Sequence, residues 1–209
     1  MLAMHSLESR FTSLLTTLGL PLGLIPGLYQ DLHAHYADPH RHYHNLAHIA
    51  HLLTLLDGTK SHTPELELAI WFHDIIYDPK SSDNEAQSAL FFTQKFNHLV
   101  HPGLIKNTAR LILATDPSRP RTKAPDELLL VDLDLSILGA APDDYLTYTK
   151  AIRQEYLHVP DADFAAGRTK ILQRFLTGPI YHTNHFTHLE EPARRNLNDE
   201  IATLSAQLP

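Results

Sequence analysis

The chain contains no cysteine. Disulfides and thiolate metal sites are therefore excluded, and any metal must be held by nitrogen and oxygen donors. Long apolar runs are missing too: none approaches the roughly 20 residues that a bilayer-spanning helix needs, so no membrane partner is expected. The N-terminal MLAMHSLESRF lacks a basic n-region and an extended apolar h-region. No secretory signal is expected from it, and the chain reads as cytoplasmic. Positive charge is scarce, with 17 Lys and Arg against 24 Asp and Glu and a formal net charge of −7. A duplex nucleic-acid surface is ordinarily basic, so that class of partner is not expected either. There is no repeat, no low-complexity tract and no charge block.

What the chain does have is an ordinary globular balance over 209 residues, 43% apolar and 20% charged. That length and balance fit a single domain over 1–209 with a sizeable core. Fourteen prolines punctuate it into segments of mostly helical length. Leu7, Phe11, Leu14, Leu15 and Leu18 follow the three-four spacing of an amphipathic helix. Thr63-Pro64-Glu65 reads as a helix start, with an N-cap residue, proline at the first position and an acid facing the dipole; this helix is expected to run to about Tyr77. Further helices are expected near 24–36, 44–57, 83–98, 103–115, 125–138, 142–158, 161–177 and 188–206. LLLVDLDLSIL in 125–138 could be a buried strand, but no hairpin signal flanks it. The expected fold is all-α, a bundle of roughly eight to ten helices.

Sixteen histidines in a cysteine-free chain point to imidazole chemistry, although surface drift accounts for many of them. Polar residues interrupt apolar segments at three places. In RHYHNLAHI, His44 and His48 lie four apart, on one face of the helix expected to start there. In WFHDIIY, His73 and Asp74 break a helix that is apolar nearly all round and should be central. A buried imidazole and carboxylate need partners; a metal is one, a structural His–Asp pair another. In LLLVDLDLSIL, Asp132 and Asp134 project about 200° apart on a helix, so both cannot face one ion. Asp134 falls among Leu130, Val131, Ile137 and Leu138. Asp132 falls beside Leu128, Leu129 and Ser136, where a cap or an arginine pair is a fair account of it.

A histidine, then His-Asp, then an aspartate, each on a different helix, resembles the HD superfamily of metal-dependent phosphohydrolases. YHNLAH is similar to the cyclic-nucleotide phosphodiesterase motif, and DLS at Asp134 to Ser136 to the segment that carries the last aspartate ligand there. RHYHNLAHI, AIWFHDIIYD, DNEAQSA, DLDLSILG, YLTYTKAIRQEY, GRTKILQRFL and EPARRNLNDE together resemble a small bacterial branch of predicted HD phosphohydrolases, over about 41 to 200. The resemblance implies His48, His73, Asp74 and Asp134 as ligands of one divalent ion, and His44 as the general acid. Many HD proteins hold a second metal with extra histidines after His-Asp. Here that interval offers only His98 and His101, and the matching segment has Asp116 followed by proline, which leaves a second metal an open question.

Two imidazoles and two carboxylates suit Mn²⁺, Fe²⁺, Co²⁺, Ni²⁺ or Zn²⁺ better than Ca²⁺, and Mg²⁺ stays among the candidate ions. Such an ion activates water and neutralises phosphoryl oxygens, which lets an acidic protein accept a small phosphorylated substrate, a nucleotide among the candidates. The expected catalytic residues are His44, Asp74 and Glu85. Glu85 could orient water or substrate, and helix-dipole complementarity explains it equally well. Arg41 and Lys80, or Arg153 and Arg168, are candidate phosphate contacts, each competing with a structural ion pair. Two other classes remain open: a non-catalytic metal or nucleotide sensor using the same pocket, and a structural helical protein that binds no metal.

Overall fold

The computed structural model describes residues 2–120 and 123–206, with side chains from Leu7 onward. Every regular element among them is helical, so the all-α expectation holds. The chain divides into two compact units, Met1–Arg121 and Thr122–Pro209.

The first unit holds α1 (Leu2–Thr17), α2 (Ile25–Tyr36), α3 (Leu46–Asp57), α4 (Pro64–Phe72), α5 (Asn84–Phe96) and α6 (Pro102–Ala114). α4 starts as its sequence predicts: Thr63 Oγ1 accepts the Leu66 N–H at 3.2 Å, and Pro64 fills the first turn. Leu66 to Phe72 are all buried, because α3, α5 and α6 pack around this helix. Its one buried charge is matched. Glu67 accepts from Arg10 Nε at 2.7 Å and lies 2.5 Å from His62 Nε2, while Arg10 also reaches Asp57 at 2.7 Å. α1 is thereby tied to the end of α3 and the start of α4. Phe11 meets Trp71 edge-on at 5.3 Å, and Phe72 meets Phe96 edge-on at the same distance, which continues the core through α5.

The second unit holds α7 (Pro125–Asp134), a 3-10 turn at Leu135–Gly139, α8 (Pro142–Glu155), α9 (Asp161–Leu176), a 3-10 turn at Thr187–Leu189 and α10 (Glu190–Ser205). The 125–138 segment is helical, but α geometry stops at Asp134 and the chain tightens into the first 3-10 turn. A ladder of polar residues along α10 fixes this part of the chain. Glu190 accepts the Ile180 and Tyr181 N–H groups at 3.0 and 3.1 Å. Arg194 reaches the Gly178 carbonyl at 2.6 Å, and Asn196 reaches those of Leu138 and Ala140 at 2.8 and 2.9 Å. Glu200 pairs with Arg168 at 2.8 Å and accepts from the Tyr145 hydroxyl. Gly139 is required where α10 begins: a Cβ there would lie 2.6 Å from Leu189 Cβ. No helix among the described residues is long and apolar enough to cross a membrane.

Candidate metal centre

The centre is built where α4 ends. The sequence carries helical apolar character on to Tyr77, yet α4 stops at Phe72. Side chains from elsewhere take the backbone groups that a continuing helix would have used. The His73 ring itself takes one of them, its Nδ1 donating to the Ile70 carbonyl at 3.0 Å. Tyr36 donates to the Trp71 carbonyl at 3.0 Å, and Arg41 donates to those of Asp74 and Ile75 at 2.6 and 2.9 Å. His40 Nε2 lies 3.0 Å from the Tyr77 carbonyl. From α5, Ser88 pairs with both backbone groups of Ile76, and Asn84 with both of Asp78. DNEAQSA therefore matters through Asn84 and Ser88, four apart on one helix face, which hold the turn after His-Asp.

This turn brings His73 and Asp74 to His48 on α3. Among the described residues, His48, His73 and Asp74 offer ligand atoms that all lie within 4.8 Å of one another. The Nε2 atoms of His48 and His73 are 3.3 Å apart. Asp74 Oδ2 lies 3.0 Å from His73 Nε2 and 3.7 Å from His48 Nε2. A carbonyl can only accept, so the contact with Ile70 puts the His73 hydrogen on Nδ1 and leaves Nε2 as a lone pair in the neutral ring. That lone pair faces a carboxylate oxygen at 3.0 Å. Two acceptors this close need a cation or an added proton between them. The spacing suits an ion: ligands at about 2.0–2.2 Å from one centre stand roughly 3–3.5 Å from each other. Both imidazoles are 1% exposed and the Asp74 side chain 16%, so solvent reaches the cluster from the carboxylate side.

His44 does not lie on α3. Asn45 caps that helix, its Oδ1 accepting the Ala47 N–H at 2.8 Å, so regular structure begins at Leu46. The expected one-turn relation between His44 and His48 is corrected accordingly. Proximity survives by another route: the His44 ring stacks on Tyr77 at 4.2 Å and stands 6.1 Å from the His48 ring. His44 is half-buried and His48 buried. Glu85 is half-buried in the first turn of α5 and is not in the cluster; the dipole account fits that place.

In the second unit the two aspartates separate cleanly. Asp132 is fully buried, and its carboxylate accepts from the His182 and Thr183 N–H groups and the Thr183 hydroxyl at 3.0, 2.7 and 2.7 Å. It closes the 182–183 loop and is used up in doing so. Asp134, the last residue of α7, is half-buried.

Three of the four basic residues named as phosphate contacts have structural work. Arg41 is buried against backbone carbonyls. Arg153 caps α8 through the Tyr156 and Val159 carbonyls, and Arg168 pairs with Glu200. Lys80 stays exposed in the segment that follows His73 and Asp74. The residues that raised the question of a second ion are also occupied or exposed. His101 Nδ1 accepts the Gly103 N–H as the N-cap of α6, and Asp116 accepts from Ser118. Burial opposes ionisation of Asp116, but the Ser118 bonds and the Arg119 guanidinium together hold this carboxyl below its ordinary value. His98 is exposed.

Comparisons with family models, with curated proteins and with solved structures give no match to this chain.

Proposed function

We propose that this protein is an HD-type, metal-dependent phosphohydrolase acting on a phosphate ester or phosphoanhydride of a small metabolite, with nucleotides as the first class to examine. The observation that carries this reading is the triangle of His48 Nε2, His73 Nε2 and Asp74 Oδ2, in which a lone pair and a carboxylate oxygen face each other at 3.0 Å. His48, His73 and Asp74 would hold one divalent ion from Mn²⁺ to Zn²⁺, or Mg²⁺; the resemblance alone implies Asp134 as a fourth ligand. When bound, the ion supplies Lewis acidity toward water and phosphoryl oxygens.

The remaining roles belong to the chain. Tyr77 stacks on the His44 ring and holds it half-buried near the ligands, a place suited to giving a proton to a leaving oxygen. Asp74, open to solvent on one side, orients the nucleophile, and Lys80 is the exposed base nearest in sequence for a phosphate. The net charge of −7 speaks against duplex nucleic acid as substrate. A cytoplasmic setting, where such metabolites occur, fits this chemistry.

The test is metal analysis of the purified chain, followed by a screen of metal-loaded protein against nucleotides, cyclic nucleotides and phosphomonoesters. Release of phosphate that chelation abolishes supports the reading. A chain that binds metal stoichiometrically, binds nucleotide and hydrolyses nothing is a sensor instead.

A further inference from the structure

Arg41 is a buried cation that forms no salt bridge among the described residues, although its charge is felt by the nearby Asp38 carboxylate. The residue is 8% exposed, and its guanidinium lies over the faces of Tyr36 and Tyr77, 5.0 and 5.5 Å from the ring centroids. Nη1 donates to the His44 carbonyl at 3.0 Å and to the Asp74 carbonyl at 2.6 Å, and Nη2 donates to the Ile75 carbonyl at 2.9 Å. Every hydrogen bond of the guanidinium among the described residues goes to a backbone carbonyl and none to a carboxylate. Desolvating a guanidinium is costly, and an apolar side chain of similar length would fill the same space without that cost. What an apolar side chain cannot do is bond carbonyls on two chain segments at once. A lysine cannot do it in this planar arrangement either, since the fork of donors is particular to arginine. The two segments are the ones that matter: one carries His44 and leads into α3 and His48, the other carries His73 and Asp74.

We infer that Arg41 is a positioning residue of the metal centre. Its fork locks the backbone of the His44 segment to the Asp74–Ile75 turn, and so sets the separation between His44 and the ligand cluster. The inference rests on the metal reading proposed above, and it assigns Arg41 a role distinct from phosphate binding. Holding the Asp74 carbonyl fixes the backbone from which that carboxylate projects. Holding the His44 carbonyl fixes the residue before the Asn45 cap, where α3 gains its starting direction. The Tyr36 and Tyr77 rings exclude water from the guanidinium, which strengthens each of these bonds. Tyr77 therefore serves twice, on Arg41 and on the His44 ring.

The experiment uses the full chain, stripped of metal by chelation, as wild type, Arg41→Lys and Arg41→Met. Long-range ¹H–¹⁵N spectra of the histidine rings in metal-free protein report the surroundings of His44, His48 and His73. Cobalt(II) titration followed by visible absorption reports affinity, and thermal melts report the fold. We expect cooperative melting in both variants, displaced His44 and His73 ring signals in both, and a fall in cobalt affinity of about 10–100-fold in both. Lysine, with the charge but not the fork, should fail to rescue. Wild-type signals and affinity in Arg41→Lys would overturn the inference, because charge alone would then suffice. Unchanged signals and affinity in Arg41→Met would overturn it as well. Loss of cooperative melting in both variants would do the same, by making Arg41 a residue of general stability. A wild-type chain that leaves cobalt unbound refutes the metal reading by itself; the ring signals of metal-free protein then decide the role of Arg41.

Discussion

The Nε2 atoms of His48 and His73 face each other at 3.3 Å, one ring carried by α3 and the other by the residue that ends α4. Because His73 gives its Nδ1 hydrogen to Ile70, the pair offers at least one lone pair to the space between the rings. His73→Ala should lower metal affinity by more than the about 10–100-fold typical of residues that only support a ligand. Metal content after dialysis, measured beside an unchanged helical spectrum, checks this. Full metal occupancy in the variant would remove His73 from the ligand set.

A second test separates the two aspartates of α7. Asp132 accepts from two backbone N–H groups and one hydroxyl, so Asp132→Ala leaves buried donors unsatisfied and should destabilise the chain by about 3 kcal/mol. Asp134→Asn should leave the urea midpoint nearly unchanged, and metal titration of the same variant tests the ligand role that only the resemblance implies for it. The opposite pattern, with Asp132 governing the metal and Asp134 the stability, would reverse the assignment.

These cases show what the sequence makes legible and what it hides. Helices are readable because proline spacing and apolar periodicity are local signals, and α4 begins at the Thr63 cap that its residues announce. The early end of α4 is not readable. The donors that take the carbonyls at its end and in the turn beyond it, on Tyr36 and Arg41, lie more than thirty residues away in sequence and carry no local mark. The same holds for Arg41, which as an isolated base beside a motif looks like an anion contact; only its burial against three carbonyls shows otherwise. For Asp132 and Asp134, helical geometry alone shows that the two must part. Which one closes the 182–183 loop depends on a contact fifty residues away.

A third prediction concerns alkaline pH. The Tyr145 hydroxyl is pushed well above the ordinary tyrosine value of about 10, by burial first and by the neighbouring Glu200 second. Tyr181 is raised too, again by burial in the first place. A group whose folded pKa is raised contributes stability that is fully present below the unfolded value and is lost as pH climbs toward the folded one. Stability of the second unit should therefore fall as pH rises past about 10. Tyrosinate absorbance near 295 nm should show Tyr145 and Tyr181 ionising only as helicity is lost. Smooth ionisation of every tyrosine in still-folded protein would contradict this.

The last prediction distinguishes His44 from His48. Both rings belong to one aromatic group, with Tyr43 5.0 Å from His44 and 4.9 Å from His48 by ring centroid. A ligand must present a neutral lone pair to the ion, while a general acid must hold a proton when the leaving group departs. His48 is buried on α3, where Ile49, Leu52 and Leu53 anchor the helix in the core, and its Nε2 points at His73. His44 lies before the Asn45 cap, half-buried against Tyr77, where it can meet substrate and exchange protons with water. His48→Ala should therefore lose metal and activity together. His44→Ala should keep the metal and lose turnover by about 10²–10⁴-fold, with little change in substrate affinity. Metal content and kinetics of both purified variants, on a substrate found by the screen, decide it. A metal-free His44→Ala beside a loaded His48→Ala would mean that the two roles are exchanged, and that the ring nearer the rim is the ligand.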